Sequence, residues 1–202
     1  MCGRFYVPAD DAPEVIARLM AEAERTARSP LPRGEITPGM RVAALCLSRV
    51  SRQAKAFPMT WGVPMQGKLL INARSETAAE KPTFRDSLRE RRCLIPAVAW
   101  FEWDHREKPM TKYRIRRSAF PWFYLAGLYR LEDDGPRCAI LTREAIEGLH
   151  DLHDRMPVTL APEEAGAWLR PDADPEEWLR RDPGPVSWQP ESGQERQMGI
   201  FG

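Results

Sequence analysis

The stretch that most restricts the fold of this chain is Cys93-Leu94-Ile95-Pro96-Ala97-Val98-Ala99-Trp100-Phe101-Glu102-Trp103. A half-exposed strand alternates apolar and polar residues, and this run does not, which predicts a strand covered on both faces. Such a strand needs other layers around it, and the sequence supplies shorter strand-like runs at Val42 to Val50, Lys55 to Val63, Lys68 to Ala73, Trp122 to Leu131 and Cys138 to Thr142. Thr111 to Arg116 alternates as an edge or half-exposed strand does. Helices are predicted after Asp10-Asp11-Ala12-Pro13-Glu14, where Val15, Ile16, Leu19, Met20 and Ala23 follow at helical spacing, and over Pro82 to Arg92. Shorter ones are predicted at Arg143 to Leu149, Pro162 to Leu169 and Pro175 to Arg180. Together these give an α+β domain built around a curled, largely antiparallel sheet with flanking helices. The 202 residues suit one domain, placed at 1–181. From Asp182 to 202, Pro, Gly, Ser and Gln dominate, and a poorly ordered tail is expected there.

Bulk properties exclude several classes. No apolar run approaches the length of a membrane span, and the chain does not open with a basic-then-apolar secretory pattern, so a cytoplasmic location is expected. The four cysteines, Cys2, Cys46, Cys93 and Cys138, are far apart with no CxxC pair, which argues against a metal site or a disulfide framework. A formal net charge of +1 gives no whole-molecule field that announces nucleic acid. The positive charge is nonetheless carried mostly by arginine, whose planar fork suits bidentate phosphate contacts. Genome composition explains the same bias, because Ala and Pro are abundant too.

Chemistry concentrates at the start of the chain. Cleaving Met1 from Met1-Cys2-Gly3-Arg4-Phe5 would give Cys2 a free α-amine beside its thiol. An aldehyde condenses with such an amine to a Schiff base, and the thiol then closes a five-membered thiazolidine. Both groups titrate near pH 8 in model compounds, leaving a reactive fraction of each at neutrality. The plainer alternative is an ordinary cysteine in a flexible terminus. Glu102 is a carboxylate inside the apolar run, where desolvation raises its pKa toward general acid–base range, unless it ends the strand and reaches water. His153 is one of three histidines, a type more often structural than catalytic. Asn72 fits a turn position, and Arg74 could pair with Glu76.

Taken together, the MCGRF start, Asn72-Ala73-Arg74-Ser75-Glu76-Thr77, Arg91-Arg92-Cys93-Leu94-Ile95-Pro96-Ala97, Phe101-Glu102-Trp103 and His153-Asp154-Arg155-Met156-Pro157 closely resemble the SOS-response-associated peptidase (SRAP) family. Trp61-Gly62-Val63-Pro64 and Leu125-Ala126-Gly127-Leu128 fit its spacing, and the resemblance runs in the family's order from Met1 to about Trp168. It implies an open pseudo-barrel fold and a sensor of abasic sites in single-stranded DNA that removes its own Met1. Cys2 then forms a stable thiazolidine with the ring-opened sugar, shielding the lesion. The resemblance implies further that Asn72 orients the Cys2 terminus or the substrate. Glu102 shuttles protons, and His153 assists ring opening or reversal and contacts a phosphate. Arg4 and Arg74 neutralise phosphates flanking the lesion, while Trp61 and Trp103 stack on bases or pack in the core. No cofactor, metal or membrane partner is implied, and a monomer is expected, cytoplasmic and nucleoid-associated when on DNA.

The chain also departs from the family. Glu35 stands where an Asn is usual, and an acidic side chain there is unfavourable if that loop meets phosphate. Val98-Ala99-Trp100-Phe101 replaces the usual Asp-Gly-Phe-Tyr, and the Val-Asn segment expected after Val186 is missing. Two other classes compete. Glutamine amidotransferases with an amino-terminal nucleophile also begin Met-Cys-Gly, but their other motifs are not found here. A non-covalent single-stranded-DNA binder would lean more heavily on positive charge than +1 allows.

Overall fold

The apolar run is two strands, not one: Arg92–Ala97 and Ala99–Asp104 are separate, joined at half-buried Val98, and they belong to different sheets. The computed structural model describes residues 2–48, 50–106 and 108–191. In chain order these form β1 (Phe5–Val7), α1 (Glu14–Ala27), β2 (Gly34–Ile36), β3 (Arg41–Leu47) and β4 (Ala54–Trp61). A hairpin of β5 (Val63–Met65) and β6 (Lys68–Leu70) precedes β7 (Asn72–Arg74) and α2 (Arg85–Glu90). Then come β8 (Arg92–Ala97), β9 (Ala99–Asp104), β10 (Thr111–Arg117), β11 (Phe123–Glu132) and β12 (Gly135–Glu144). Last are β13 (Arg155–Pro157), β14 (Thr159–Leu160), a 3-10 turn over Pro162–Glu164, α3 (Ala165–Leu169), α4 (Pro175–Arg180) and β15 (Val186–Pro190).

Strands β12, β4, β3, β8 and β11 pair in that order, and β11 pairs back with β12, closing a barrel-like ring. Closure removes the open edges that a flat sheet of apolar strands would expose. Only β4–β12 among the ring pairs is parallel. β7 and β13 attach to β12, and β14 to β11. The second sheet, β15-β10-β9-β1-β2, is antiparallel throughout. It lies against the barrel through ring contacts between Phe5 and Trp61, at 5.1 Å, and between Trp100 and Phe123, at 5.7 Å. Phe5 and Trp100 are register partners, so one face of this sheet looks onto the barrel. Both halves of the apolar run are therefore enclosed, β8 within the ring and β9 between layers.

Helix α1 buries Ile16, Leu19, Met20 and Ala23, the stripe its spacing predicts, against β3 and β4. Pro13 holds its N-cap position without a side-chain cap, and Asp11 before it adopts a left-handed φ of 53°. Helix α2 is shorter than the predicted Pro82 to Arg92. Arg92 opens β8, and its guanidinium donates to the carbonyls of Leu88 and Arg89, capping the helix end it has left. The helix expected at Arg143 to Leu149 does not form, because Arg143 and Glu144 pair with Met156 and Arg155. Lys68 to Ala73 divides between the β5–β6 hairpin and β7, while β2 forms where the sequence predicts no strand. The hairpin requires glycine at 62, where φ is +118° and an added Cβ would lie 2.5 Å from Leu69.

Within the expected tail, Val186–Pro190 instead adds β15 to β10, and Arg114 grips Glu191 with two hydrogen bonds of 2.7 Å. The remainder of that segment, 192–202, lies outside the described residues. No helix among the described residues is long and apolar enough to cross a membrane.

Candidate active site at the amino terminus

Cys2 is fully buried, not at a loose end of the chain. Two elements hold it. β1 anchors the following residues in the second sheet, and Asn72, on β7 beside the barrel, donates Nδ2–H to the Cys2 carbonyl at 3.0 Å. The thiol points its hydrogen toward the Arg4 carbonyl at 3.9 Å. Asn72 Oδ1 is buried without a hydrogen-bond partner among the described residues, an acceptor left for another donor at the site. Met1 lies outside the described residues.

Glu102 is 4 % exposed and shares its face of β9 with Trp100, toward the barrel and Cys2. Burial is the main cause that pushes its carboxyl up to about 7; the positive charge of the amino terminus opposes this and Asp154 adds to it. Burial also pushes the Cys2 thiol far above its usual range, with the Glu102 carboxylate acting in the same direction. A carboxyl near 7 exchanges protons readily at neutral pH.

His153 enters from the segment before β13. Burial and the charge at the amino terminus lower its pKa, while Asp154 works against both. Its Nδ1 has two neighbours, the Arg155 backbone N–H at 3.0 Å and Asp154 Oδ1 at 2.7 Å. These contacts suit different protonation states: an unprotonated Nδ1 accepts from Arg155, and a protonated one donates to Asp154. The lowered pKa shifts the ring toward its neutral form. Arg155 also clamps Glu76 with bonds of 2.7 and 2.9 Å and donates to the Thr142 carbonyl at 2.7 Å. That clamp ties the segment carrying Asn72 to the one carrying His153. Arg155 stands within the motif, but no local pattern points to this role.

The four proposed DNA contacts divide. Arg74, exposed on the same side of β7 as Asn72, forms no ion pair among the described residues; Glu76, its expected partner, is taken by Arg155. Arg4 and Trp103 stack on each other at 5.2 Å on the opposite face of the second sheet from Glu102. Arg4 is engaged there by Glu35 at 2.7 Å, and Lys112 binds the other carboxylate oxygen. Burial acts to raise the Glu35 carboxyl, but the hydrogen bonds from Lys112 and Arg4 outweigh it and hold it below the usual range. Of the two roles expected of Trp61, base stacking is excluded by burial and core packing is the one the fold gives it. It is 0 % exposed, packed on Phe5, with its indole N–H bonded to the Ile71 carbonyl at 2.9 Å. Among the described residues no cluster of three or more His, Cys, Asp or Glu could hold a metal ion.

A model of the SOS response associated peptidase (SRAP) family matches residues 1–189. The chain belongs to the SRAP family. Its relatives include abasic site processing protein YoqW of Bacillus subtilis (strain 168), 34% identical over 195 residues that cover 87% of this chain and 84% of that one. Abasic site processing protein YedK of Escherichia coli (strain K12) is 31% identical over 84% of this chain and 80% of its own. Among solved structures, a phage-related protein from Bordetella bronchiseptica superposes with a TM-score of 0.73 at 28% identity, covering 95% of each chain. The barrel-like ring and second sheet are thus the SRAP fold, and Asn72 through its hydrogen bond, Glu102 through its charge on Cys2 and His153 through the charge of the amino terminus all lie about the start of the chain.

Proposed function

We propose that this chain processes abasic sites in single-stranded DNA by forming a covalent thiazolidine through Cys2. The observation that carries the reading is a buried Cys2, held by Asn72 beside a Glu102 that titrates near neutrality. Its SRAP membership and relatives named as abasic site processing proteins support the DNA substrate.

In this reading water first cleaves the Met1–Cys2 peptide bond, releasing methionine and leaving an α-amine on Cys2. The amine adds to the aldehyde carbon of the ring-opened abasic sugar, and the resulting carbinolamine loses water to give an imine. The thiol sulfur then attacks the imine carbon while its proton passes to nitrogen, closing the ring. One water is lost overall from the aldehyde, amine and thiol. Glu102 takes and returns the protons in these steps, which its pKa allows without a large driving-force penalty. Asn72 fixes Cys2, and its open Oδ1 can accept from the new amine or a sugar hydroxyl. His153 can donate from its ring to the sugar ring oxygen.

Cys2 is reached only by a nucleotide turned inward, and a single strand yields one without the cost of breaking base pairs. Arg74 receives a flanking phosphate on the pocket side, while Arg4 and Trp103 meet DNA further along the strand. The test mixes the protein with an oligonucleotide carrying one abasic site and runs it under denaturing conditions. A stable adduct that disappears in Cys2→Ala supports the reading. Ammonia release from glutamine with no adduct would replace it with the amidotransferase.

A further inference from the structure

Nδ1 of His153 has a donor on one side and an acceptor on the other, and the acceptor, Asp154, takes no part in the proposed crosslinking steps. Arg155 offers its backbone N–H at 3.0 Å, and Asp154 Oδ1 lies 2.7 Å away. One nitrogen cannot serve both at once: bare, it accepts from Arg155, and protonated, it donates to Asp154. Nδ1 therefore finds a partner in either state. The segment that carries these groups is tied down. The Asp154 carbonyl accepts from the Ala145 N–H at 3.0 Å, and the His153 N–H donates to the Leu149 carbonyl at 3.0 Å. Arg155 pairs with Glu144 across β13 and β12.

Charge sets the two partners apart. Burial, the positive charge of the amino terminus, His105 after β9 and the Arg155 guanidinium all disfavour a charged ring, and Asp154 opposes them. Glu76 takes the Arg155 guanidinium in two hydrogen bonds, which blunts the last of these. The Asp154 side chain is 70 % exposed where that of His153 is 23 % exposed, so its carboxylate keeps its water and bears little burial cost. Its charge nevertheless reaches into the site, where it also acts on Glu102. An exposed ion pair adds little stability, and what this one adds is a fixed place for the ring when it is charged.

We infer that Asp154 is a positioning residue for His153: it accepts from Nδ1–H of the charged ring, the Arg155 N–H serves Nδ1 when it is bare, and the ring exchanges protons without turning. The inference rests on the reading that His153 acts on the abasic sugar. In ring opening, the bond between the anomeric carbon and the ring oxygen breaks, and its electrons stay on the ring oxygen. Charged His153 gives that oxygen a proton and becomes neutral. The anomeric hydroxyl passes its proton to water, and the electrons of its O–H bond form the aldehyde C=O. Whichever proton the neutral ring retains, Nδ1 keeps a partner.

An NMR titration of the His153 ring in the full chain tests the pair. The chain has three histidines, and the signal lost in His153→Gln identifies this one. Asp154→Asn moves the titration to lower pH, and Asp154→Glu returns it toward the wild type. An unchanged midpoint in Asp154→Asn overturns the inference. The rate of adduct formation on saturating abasic oligonucleotide gives a second reading. It is taken at pH 8, where Glu102 is mostly ionised with or without the Asp154 charge. Asp154→Asn slows it about 2- to 5-fold, and Asp154→Glu recovers most of the loss. In a His153→Gln background, Asp154→Asn has no further effect. No slowing by Asp154→Asn alone, or equal slowing in both backgrounds, overturns the inference. A wild type that forms no adduct overturns the crosslink reading alone, because the titration still decides whether Asp154 holds the charged ring.

Discussion

Glu102 and Trp103 are neighbours in the chain, and the two faces of β9 give them opposite surroundings. Glu102 faces the barrel, where it lies beside the buried Cys2, and burial shifts its pKa toward neutrality. Trp103 faces outward, where Lys112 and Arg114 lie over Phe101, Arg114 over Tyr6, and Arg4 over Trp103. On that outer face Glu35 and Glu191 pair with the cations, and Phe101 is fully buried beneath their stems. The inner face holds polar groups at a thermodynamic cost, as reactive sites do. The outer face has neutralised its charge and resembles a structural surface, with Arg4, two residues from Cys2, stacked on Trp103 at one edge. Chemistry and DNA retention should therefore separate by face.

The largest break between the faces is expected from Glu102→Gln. Adduct formation should slow by about 10²–10⁴-fold, while binding to undamaged strand is unchanged. For the wild type the rate should rise with pH through about 7 as Glu102 ionises and becomes a base. The same residue sets a stability trend of opposite sense. Its folded pKa lies above the ordinary value, so its contribution is full below about pH 4.5 and lost as pH rises through about 7. Glu102→Gln should thus be more stable than the wild type at pH 8, by about 3 kcal/mol, and not at pH 4; urea unfolding at both pH values checks this. Asn72→Ala comes next. Removing a hydrogen bond to a buried carbonyl costs about 1–3 kcal/mol, and adduct formation should slow by about 5- to 100-fold with little change in affinity.

Outer-face changes should read the other way. Trp103→Ala should weaken single-stranded DNA binding by about 1–3 kcal/mol and leave the adduct rate at saturating DNA untouched. A loss of saturated rate instead would show that the two faces are coupled. Arg74→Ala, on the pocket side, should lower the salt slope of binding by about 1. The smallest effect is expected from Glu35→Gln, which releases Arg4 and Lys112 and should tighten DNA binding a few-fold at low salt, an increase that disappears as salt rises.

Much of the site was legible because its residues carry unusual chemistry at fixed places: an amino-terminal Cys2, a lone Glu102 in an apolar run, and Asn72 and His153 within motifs. The sequence does not show which strand faces which layer. Phe101 is as apolar as Trp100, yet the two point to opposite sides, because Lys112 and Arg114 cover one of them. The turn at Val98 was hidden for the same reason, since both strands it joins are enclosed. The ring closes through the parallel β4–β12 pair, a non-local contact no local pattern encodes. Trp61 illustrates the ambiguity of aromatic residues, which read equally as base platform or core. Arg155 was missed because its role depends on Glu76 and Thr142 meeting across the fold. The helix predicted at Arg143 to Leu149 failed where strand pairing overrode local propensity.

The central claim is that Cys2, freed of Met1, joins covalently to the sugar aldehyde. Intact mass of the protein after incubation with an abasic oligonucleotide, without a reducing agent, tests it most directly. The predicted species has the mass of the chain lacking Met1 plus the oligonucleotide minus one water, and it is missing from Cys2→Ala. An adduct of the same yield from Cys2→Ala, or one that retains Met1, would contradict the account.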